Sequence, residues 1–233
     1  MIQALILDFD GTIVDSETPD YLAWLEVYQS FGLDLPLVRW ASDIGRGPND
    51  IPFNPLTELV AAVGEGIDIV EIKAKRTARF RDMMAAEELR PGIRQYLDTA
   101  QILGIDLAVA SSATHAWLHE SLETLGIKGY FSSILCSADV ANAKPDPELF
   151  VKSLAALEIE KHQAIVLEDS PNGIAAAKAA GIYCVATPNA LTRHLDLSMA
   201  DLVVDNLEAL PLEMLLDLAE PRADTAKAVS SHS

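Results

Sequence analysis

Four short apolar runs, each halted by acidic or hydroxyl residues, constrain this chain more than any other feature. Ala4-Leu5-Ile6-Leu7 stops at Asp8 and Asp10, and Asp106 to Ala110 runs into Ser111-Ser112. Ala164 to Leu167 meets Glu168-Asp169, and Tyr183 to Ala186 meets Thr187-Pro188. A weaker fifth run, Leu202-Val203-Val204, ends at Asp205. Apolar character without alternation is what a strand buried on both faces needs, and such strands belong to parallel sheets covered by helices. Helical patterns fill the gaps. Leu118, Leu122 and Leu125 share one face before Gly126, Leu149 to Leu157 follows Pro147, and Ile174 to Ala180 ends at Gly181. Strands alternating with helices imply βαβ units with right-handed crossovers, so the expected fold class is α/β with a Rossmann-like parallel sheet.

One stretch breaks the rhythm. From Thr18 to Glu88 the pattern is helical, with Tyr21 to Phe31 and Ile69 to Met84 as its two long segments and no convincing strand. Gly45 to Pro55, rich in Gly, Pro and Asn, reads as a loop, and Arg90-Pro91-Gly92 reads as the return hinge. The expected organisation is therefore a catalytic α/β core from 1–16 and 89–220, an inserted α-helical cap over 17–88, and a disordered polar tail at 221–233.

The chain has 233 residues, half of them hydrophobic, which is enough for a substantial core. A net charge of -18 keeps it soluble and argues against nucleic acid and membrane as partners. The two cysteines, Cys136 and Cys184, sit in apolar stretches and form neither a disulfide framework nor a metal spacing, as suits a reducing cytoplasm. Met1 to Leu7 meets acidic residues too soon for a secretory leader, and no apolar run approaches the roughly 20 residues of a membrane helix. The expectation is a cytoplasmic monomer or weak dimer.

In an open parallel sheet, ligands bind beyond the carboxyl ends of the strands. Here those ends carry Asp8 and Asp10, then Ser111, then Glu168 and Asp169, with Lys144 in the nearby loop Ala143-Lys144-Pro145-Asp146-Pro147. Several converging carboxylates repel unless a cation sits among them. Oxygen ligands without His or Cys select a hard ion, magnesium first, and magnesium takes phosphate as a further ligand. A carboxylate can attack phosphorus and form an aspartyl-phosphate, while a second handles protons. Lys144 and the Ser111 hydroxyl can hold the oxygens of a transferring phosphoryl group. Each residue alone has a plain structural reading: Ser111 as a helix cap, Lys144 as a surface lysine, Asp-x-Asp-Gly as a turn. The ordered set at successive strand ends is what points to chemistry.

At these residues the chain resembles the haloacid dehalogenase superfamily of phosphohydrolases. Asp8-Phe9-Asp10-Gly11-Thr12-Ile13-Val14-Asp15-Ser16 is similar to its first motif, and Ser111 in Val109-Ala110-Ser111-Ser112 to its second. Lys144 in Lys144-Pro145-Asp146-Pro147 is similar to the third, and Glu168-Asp169-Ser170 to the fourth. A helical insert after the first motif is the arrangement of the β-phosphoglucomutase-like and phosphoglycolate-phosphatase-like subgroup. The resemblance implies Asp8 as nucleophile and metal ligand, and Asp10 as general acid/base with its carbonyl on Mg2+. It implies Asp169 as a further ligand, Glu168 bound to the ion directly or through water, and Ser111 and Lys144 as phosphoryl ligands. Thr12 would steer Asp10, and the cap would exclude water over the site. Ser112, Gly45, Arg46 and Asp20 are the expected substrate contacts, with Trp40 and His115 less so.

The resemblance leaves two activities. β-Phosphoglucomutases carry a hinge histidine where this chain has Asp20, an arginine where Pro48 aligns, and a cap lysine where Thr77 aligns. These departures favour transfer to water. The expected enzyme is a phosphoric monoester hydrolase, a magnesium-dependent phosphatase of a small phosphorylated metabolite such as a sugar phosphate, with a phosphosugar mutase as the alternative. A dehalogenase would have no use for Asp10, a phosphoacceptor module would not need the long helical insert, and a pseudoenzyme would tolerate motif losses that do not occur.

Overall fold

The computed structural model describes residues 1–47, 52–64 and 66–219; Pro48 and the 221–233 tail, to which two of the expectations refer, lie outside them. Six strands form one parallel sheet: β1 (Ala4–Leu7), β2 (Asp106–Ala110), β3 (Ser133–Leu135), β4 (Ala164–Glu168), β5 (Tyr183–Ala186) and β6 (Leu202–Val203). Every residue of β1 and β4 is buried, as runs without alternation require. Period-two alternation divides their side chains between two cores. Ile6, Ala108, Val166 and Cys184 pack with Phe150 and Ile174 on one face; Leu5, Leu7, Val109, Ile165 and Val185 pack with Tyr96 and Leu97 on the other.

The strand order is β3-β2-β1-β4-β5-β6. The chain winds outward in one direction from β1 to β3 and in the other from β4 to β6, so the crevice lies at the carboxyl ends of β1 and its neighbours. Two strand readings change. β3 escapes the sequence pattern because it is three residues long and only half-buried, and β6 stops one residue short, at Val203.

Between β1 and β2 stand α1 (Glu17–Ser30), α2 (Leu37–Ala41), α3 (Pro55–Val63), α4 (Ile69–Met84) and α5 (Ile93–Leu103). α4 has the expected bounds; its N-terminus is capped by Asp68, which accepts from the Val70 and Glu71 N–H groups at 3.0 Å. Pro55, expected to close a loop, instead opens α3 at a position where its missing N–H costs nothing. Tyr28, Leu35, Phe53, Leu59 and Ile72 give α1–α4 an apolar cluster of their own. The chain enters and leaves this segment side by side, since Val14 bridges Leu89 in antiparallel fashion. The later helices are α6 (His115–Thr124), α7 (Glu148–Ala156), α8 (Pro171–Ala179) and a last one over 212–219. Among the described residues, no helix is long and apolar enough to cross a membrane.

Candidate active site

β1 ends at Leu7, and the Asp8 N–H donates to the Leu167 carbonyl at 2.9 Å, so the acidic residues after β1 and β4 lie side by side. Gly11 then turns the chain with φ of 84°, and a Cβ there would overlap the Asp169 carboxylate; only glycine permits this approach. Asp8, Glu168 and Asp169 are buried, with one carboxylate oxygen of each lying within 4.8 Å of the others. Among the described residues they are the one such group that could hold a metal ion.

Lys144 completes the cluster. It is fully buried, and its ammonium donates to Asp8 Oδ1 and, at 2.7 Å, to Glu168 Oε1, above the ring of Phe150. The other Glu168 oxygen accepts from the Asp169 N–H at 2.9 Å and from the Ser170 N–H and hydroxyl at 3.1 Å each. Asp169 accepts from Asn189 Nδ2 at 2.9 Å and from the hydroxyls of Thr192 at 3.4 Å and Thr12 at 3.5 Å. Thr12 therefore supports Asp169, not Asp10 as expected. The turn after Asp10 directs its side chain across to the β4 end. Arg90 anchors the surrounding loops by donating to the carbonyls of Gly11, Thr187 and Pro188.

Three carboxylates and one ammonium leave an excess of negative charge out of water. Burial pushes the Asp8 carboxyl up to about 8, with Lys144 opposing and Glu168 and Asp10 adding to the rise. Burial, then Glu168 and Asp8, push Asp169 well above the usual carboxylate range. Burial works against the charge of Lys144, but Asp8 and Glu168 raise its pKa above the ordinary lysine value. An oxygen-only donor set with more negative than positive charge fits a hard divalent cation.

Asp10 faces the opening. Its Oδ1 accepts from Ser16 Oγ at 2.6 Å and Trp117 Nε1 at 2.9 Å, and its Oδ2 lies 3.4 Å from Ser111 Oγ. Burial raises its carboxyl, against the pull of the Ser16 and Trp117 hydrogen bonds. Asp8, Asp10 and Ser111 line a cavity of about 310 Å³ with Arg46, Arg76 and Trp117. A second cavity of about 510 Å³, lined by Trp24, Trp40 and Phe53 among others, shares Glu17, Asp20, Gly45, Arg46 and Arg76 with the first.

The expected substrate contacts fall around this opening. Ser112 Oγ donates to the Gly45 carbonyl at 2.9 Å, and Asn172 Nδ2 donates to those of Ser42 and Ile44 at 3.1 and 2.8 Å. These bonds pin the loop after α2 against the carboxyl end of the sheet. Arg46 lies 3.9 Å from Asp43, and Asp20 is ion-paired with Arg76. Trp40 packs edge-on to Tyr21 and Phe53 within the helical segment. His115 stacks on His119 at a 4.1 Å centroid distance and lines neither cavity. The sequence reading missed Ser16, Glu17, Trp117, Asn189 and Thr192. Ser16 closes the first motif and Glu17 follows it directly, so both were within reach; Trp117, Asn189 and Thr192 join the site only through the turns that bring distant segments together.

Comparison with known proteins agrees with this geometry. Residues 5–187 match the family described as haloacid dehalogenase-like hydrolase. The putative phosphatase YhcW of Bacillus subtilis is 36% identical, covering 93% of this chain and 97% of that protein. The phosphorylated carbohydrates phosphatase of Thermotoga maritima is 30% identical, covering 78% and 82%. The crystal structure of CbbY from Rhodobacter sphaeroides in complex with phosphate superposes with a TM-score of 0.71 at 29% identity, covering 92% and 99%. With its motifs in order at the strand ends, the chain belongs to the haloacid dehalogenase-like hydrolase family and is a phosphoric monoester hydrolase.

Proposed function

We propose that this enzyme is a magnesium-dependent phosphatase that hydrolyses a small phosphorylated carbohydrate through an aspartyl-phosphate on Asp8. The observation that carries the reading is the pairing at the end of β1. Asp8 sits deep, bonded to Lys144, while Asp10, two residues on, faces the cavity and accepts from Ser16 and Trp117. One carboxylate is placed to attack and the other to exchange protons.

Asp8, Glu168 and Asp169 would hold Mg2+, with the Asp10 carbonyl as a further donor. The ion would offset the negative charge of the phosphoryl group and of Asp8. In the first step an Asp8 oxygen forms a bond to phosphorus, the ester P–O bond breaks, and Asp10 gives its proton to the departing alkoxide. In the second, water attacks phosphorus, its proton passes to Asp10, and Asp8 is released with inorganic phosphate. Lys144 and Ser111 hold the phosphoryl oxygens and stabilise the charge that spreads over them.

We assign residues 17–88 as a cap over a core of 1–16 and 89–220. The bonds from Ser112 and Asn172 to the 42–45 carbonyls are what a closed cap requires to keep bulk water out. Arg46 and Arg76 supply positive charge above the phosphoryl position in a chain that is otherwise strongly acidic. The Thermotoga relative, by its name, acts on phosphorylated carbohydrates, which supports that substrate class here. Asp20, tied to Arg76 where mutases carry a histidine, favours water over a sugar hydroxyl as acceptor.

Phosphate release from a panel of sugar phosphates, with and without magnesium, tests the reading. The panel includes β-glucose 1-phosphate with a trace of the 1,6-bisphosphate. Magnesium-dependent free phosphate is the expected result; glucose 6-phosphate formed without free phosphate would establish a mutase instead.

A further inference from the structure

Asp10 is held by more than its own motif. Oδ1 accepts from Ser16, six residues along the same loop, and from the indole N–H of Trp117 on α6, more than a hundred residues away. Two good donors at 2.6 and 2.9 Å saturate that oxygen. Among the described residues, Oδ2 has only the long 3.4 Å approach of Ser111 Oγ, so it is the oxygen left for proton exchange. The indole carries one donor and no acceptor, so it can orient the carboxylate but cannot relay a proton.

Trp117 has a second contact. Its ring lies 5.5 Å from that of Phe80 at an interplanar angle of 48°. Phe80 belongs to α4, so one side chain touches both the proton-exchanging carboxylate and the helical segment above it. Asp10, Phe80 and Trp117 line the same 310 Å³ cavity.

We infer that Trp117 is a positioning residue for the reaction: its N–H locks Asp10 with Oδ2 toward the leaving oxygen, and its packing on Phe80 ties that orientation to the helical segment. The inference rests on the assignment of Asp10 as general acid/base given above. In the step it serves, the ester P–O bond breaks as the proton on Oδ2 passes to the departing oxygen. Without the indole, Oδ1 keeps the Ser16 bond alone and Asp10 rotates more freely. The loss therefore falls on substrates whose leaving group needs that proton.

The test compares the native enzyme, Trp117→Phe and Asp10→Asn on two substrates with magnesium. Glycerol phosphate releases an alkoxide that must be protonated; p-nitrophenyl phosphate releases a stable phenolate. The quantity read is kcat/KM, which reports the steps up to phosphoryl transfer. Trp117→Phe is expected to lose on the order of ten-fold on glycerol phosphate, part of what a general acid contributes, and less than two-fold on p-nitrophenyl phosphate. Equal losses on both substrates would reduce Trp117 to a packing residue, and no loss on either would also overturn the inference. If Asp10→Asn is inactive on glycerol phosphate while Trp117→Phe is unaffected, only the Trp117 inference fails. If Asp10→Asn retains full activity there, the Asp10 assignment fails with it. Should Trp117→Phe not fold, benzothienylalanine at this position replaces the N–H with sulfur at nearly constant shape and is read in the same way.

Discussion

At the scale of single residues, the site sets three buried carboxylates against one buried ammonium. Asp8→Asn removes the oxygen proposed to attack phosphorus, so phosphate release should fall to background while the far-ultraviolet circular dichroism is unchanged. Retained turnover would mean another group takes the phosphoryl. Lys144→Met leaves buried carboxylates unpaired and should cost about 3 kcal/mol in metal-free urea unfolding. The raised carboxyls of Asp8, Asp10 and Asp169 carry a pH signature. Because their folded pKa values lie above the unfolded ones, the folded chain binds more protons in between, and stability falls as pH rises. That stability is fully present below about pH 4, the ordinary carboxylate range, and for Asp8 it is lost as pH rises through about 8. Thermal unfolding with a chelator should show this decline, and Asp8→Asn should flatten it. A native metal-free melt that does not change from pH 4 to 8 would contradict the charge account.

At the scale of elements, strand ends deliver the chemistry and one loop closes over it. Asn172, at the start of α8, donates both amide hydrogens to the loop after α2. At about 1 kcal/mol for each bond, Asn172→Ala should raise KM for p-nitrophenyl phosphate roughly thirty-fold with a smaller effect on kcat. A change confined to kcat would instead place Asn172 in the chemical step. The core elements were legible because their signals are local. β1, β2, β4 and β5 are continuous apolar runs whose burial is decided by their own residues, and the catalytic candidates stand directly after them. β3 was not legible, because Ser133-Ile134-Leu135 is too short to carry a pattern and takes its place from pairing with β2. α2 and α3 lie in Gly- and Pro-rich sequence and are defined by tertiary packing and by the Asn54 cap. Thr12 was placed on the wrong carboxylate, since the turn at Gly11 settles its direction.

At the scale of the whole molecule, a single parallel sheet with a helical segment inserted after β1 brings Asp8, Asp10, Lys144, Glu168 and Asp169 to one crevice. The segment adds Arg46 and Arg76 above it. Family membership and this geometry agree, and the account's central claim is that the phosphoryl group passes through Asp8. The most direct test is to capture it there. Asp10→Asn, mixed with p-nitrophenyl [32P]phosphate and magnesium and quenched in acid within one turnover, should carry near-stoichiometric label that hydroxylamine removes. Peptide mapping should place that label on Asp8, and omission of magnesium should prevent it. Nitrophenol released within that turnover without any label on Asp8, or with label on another residue, would contradict the account.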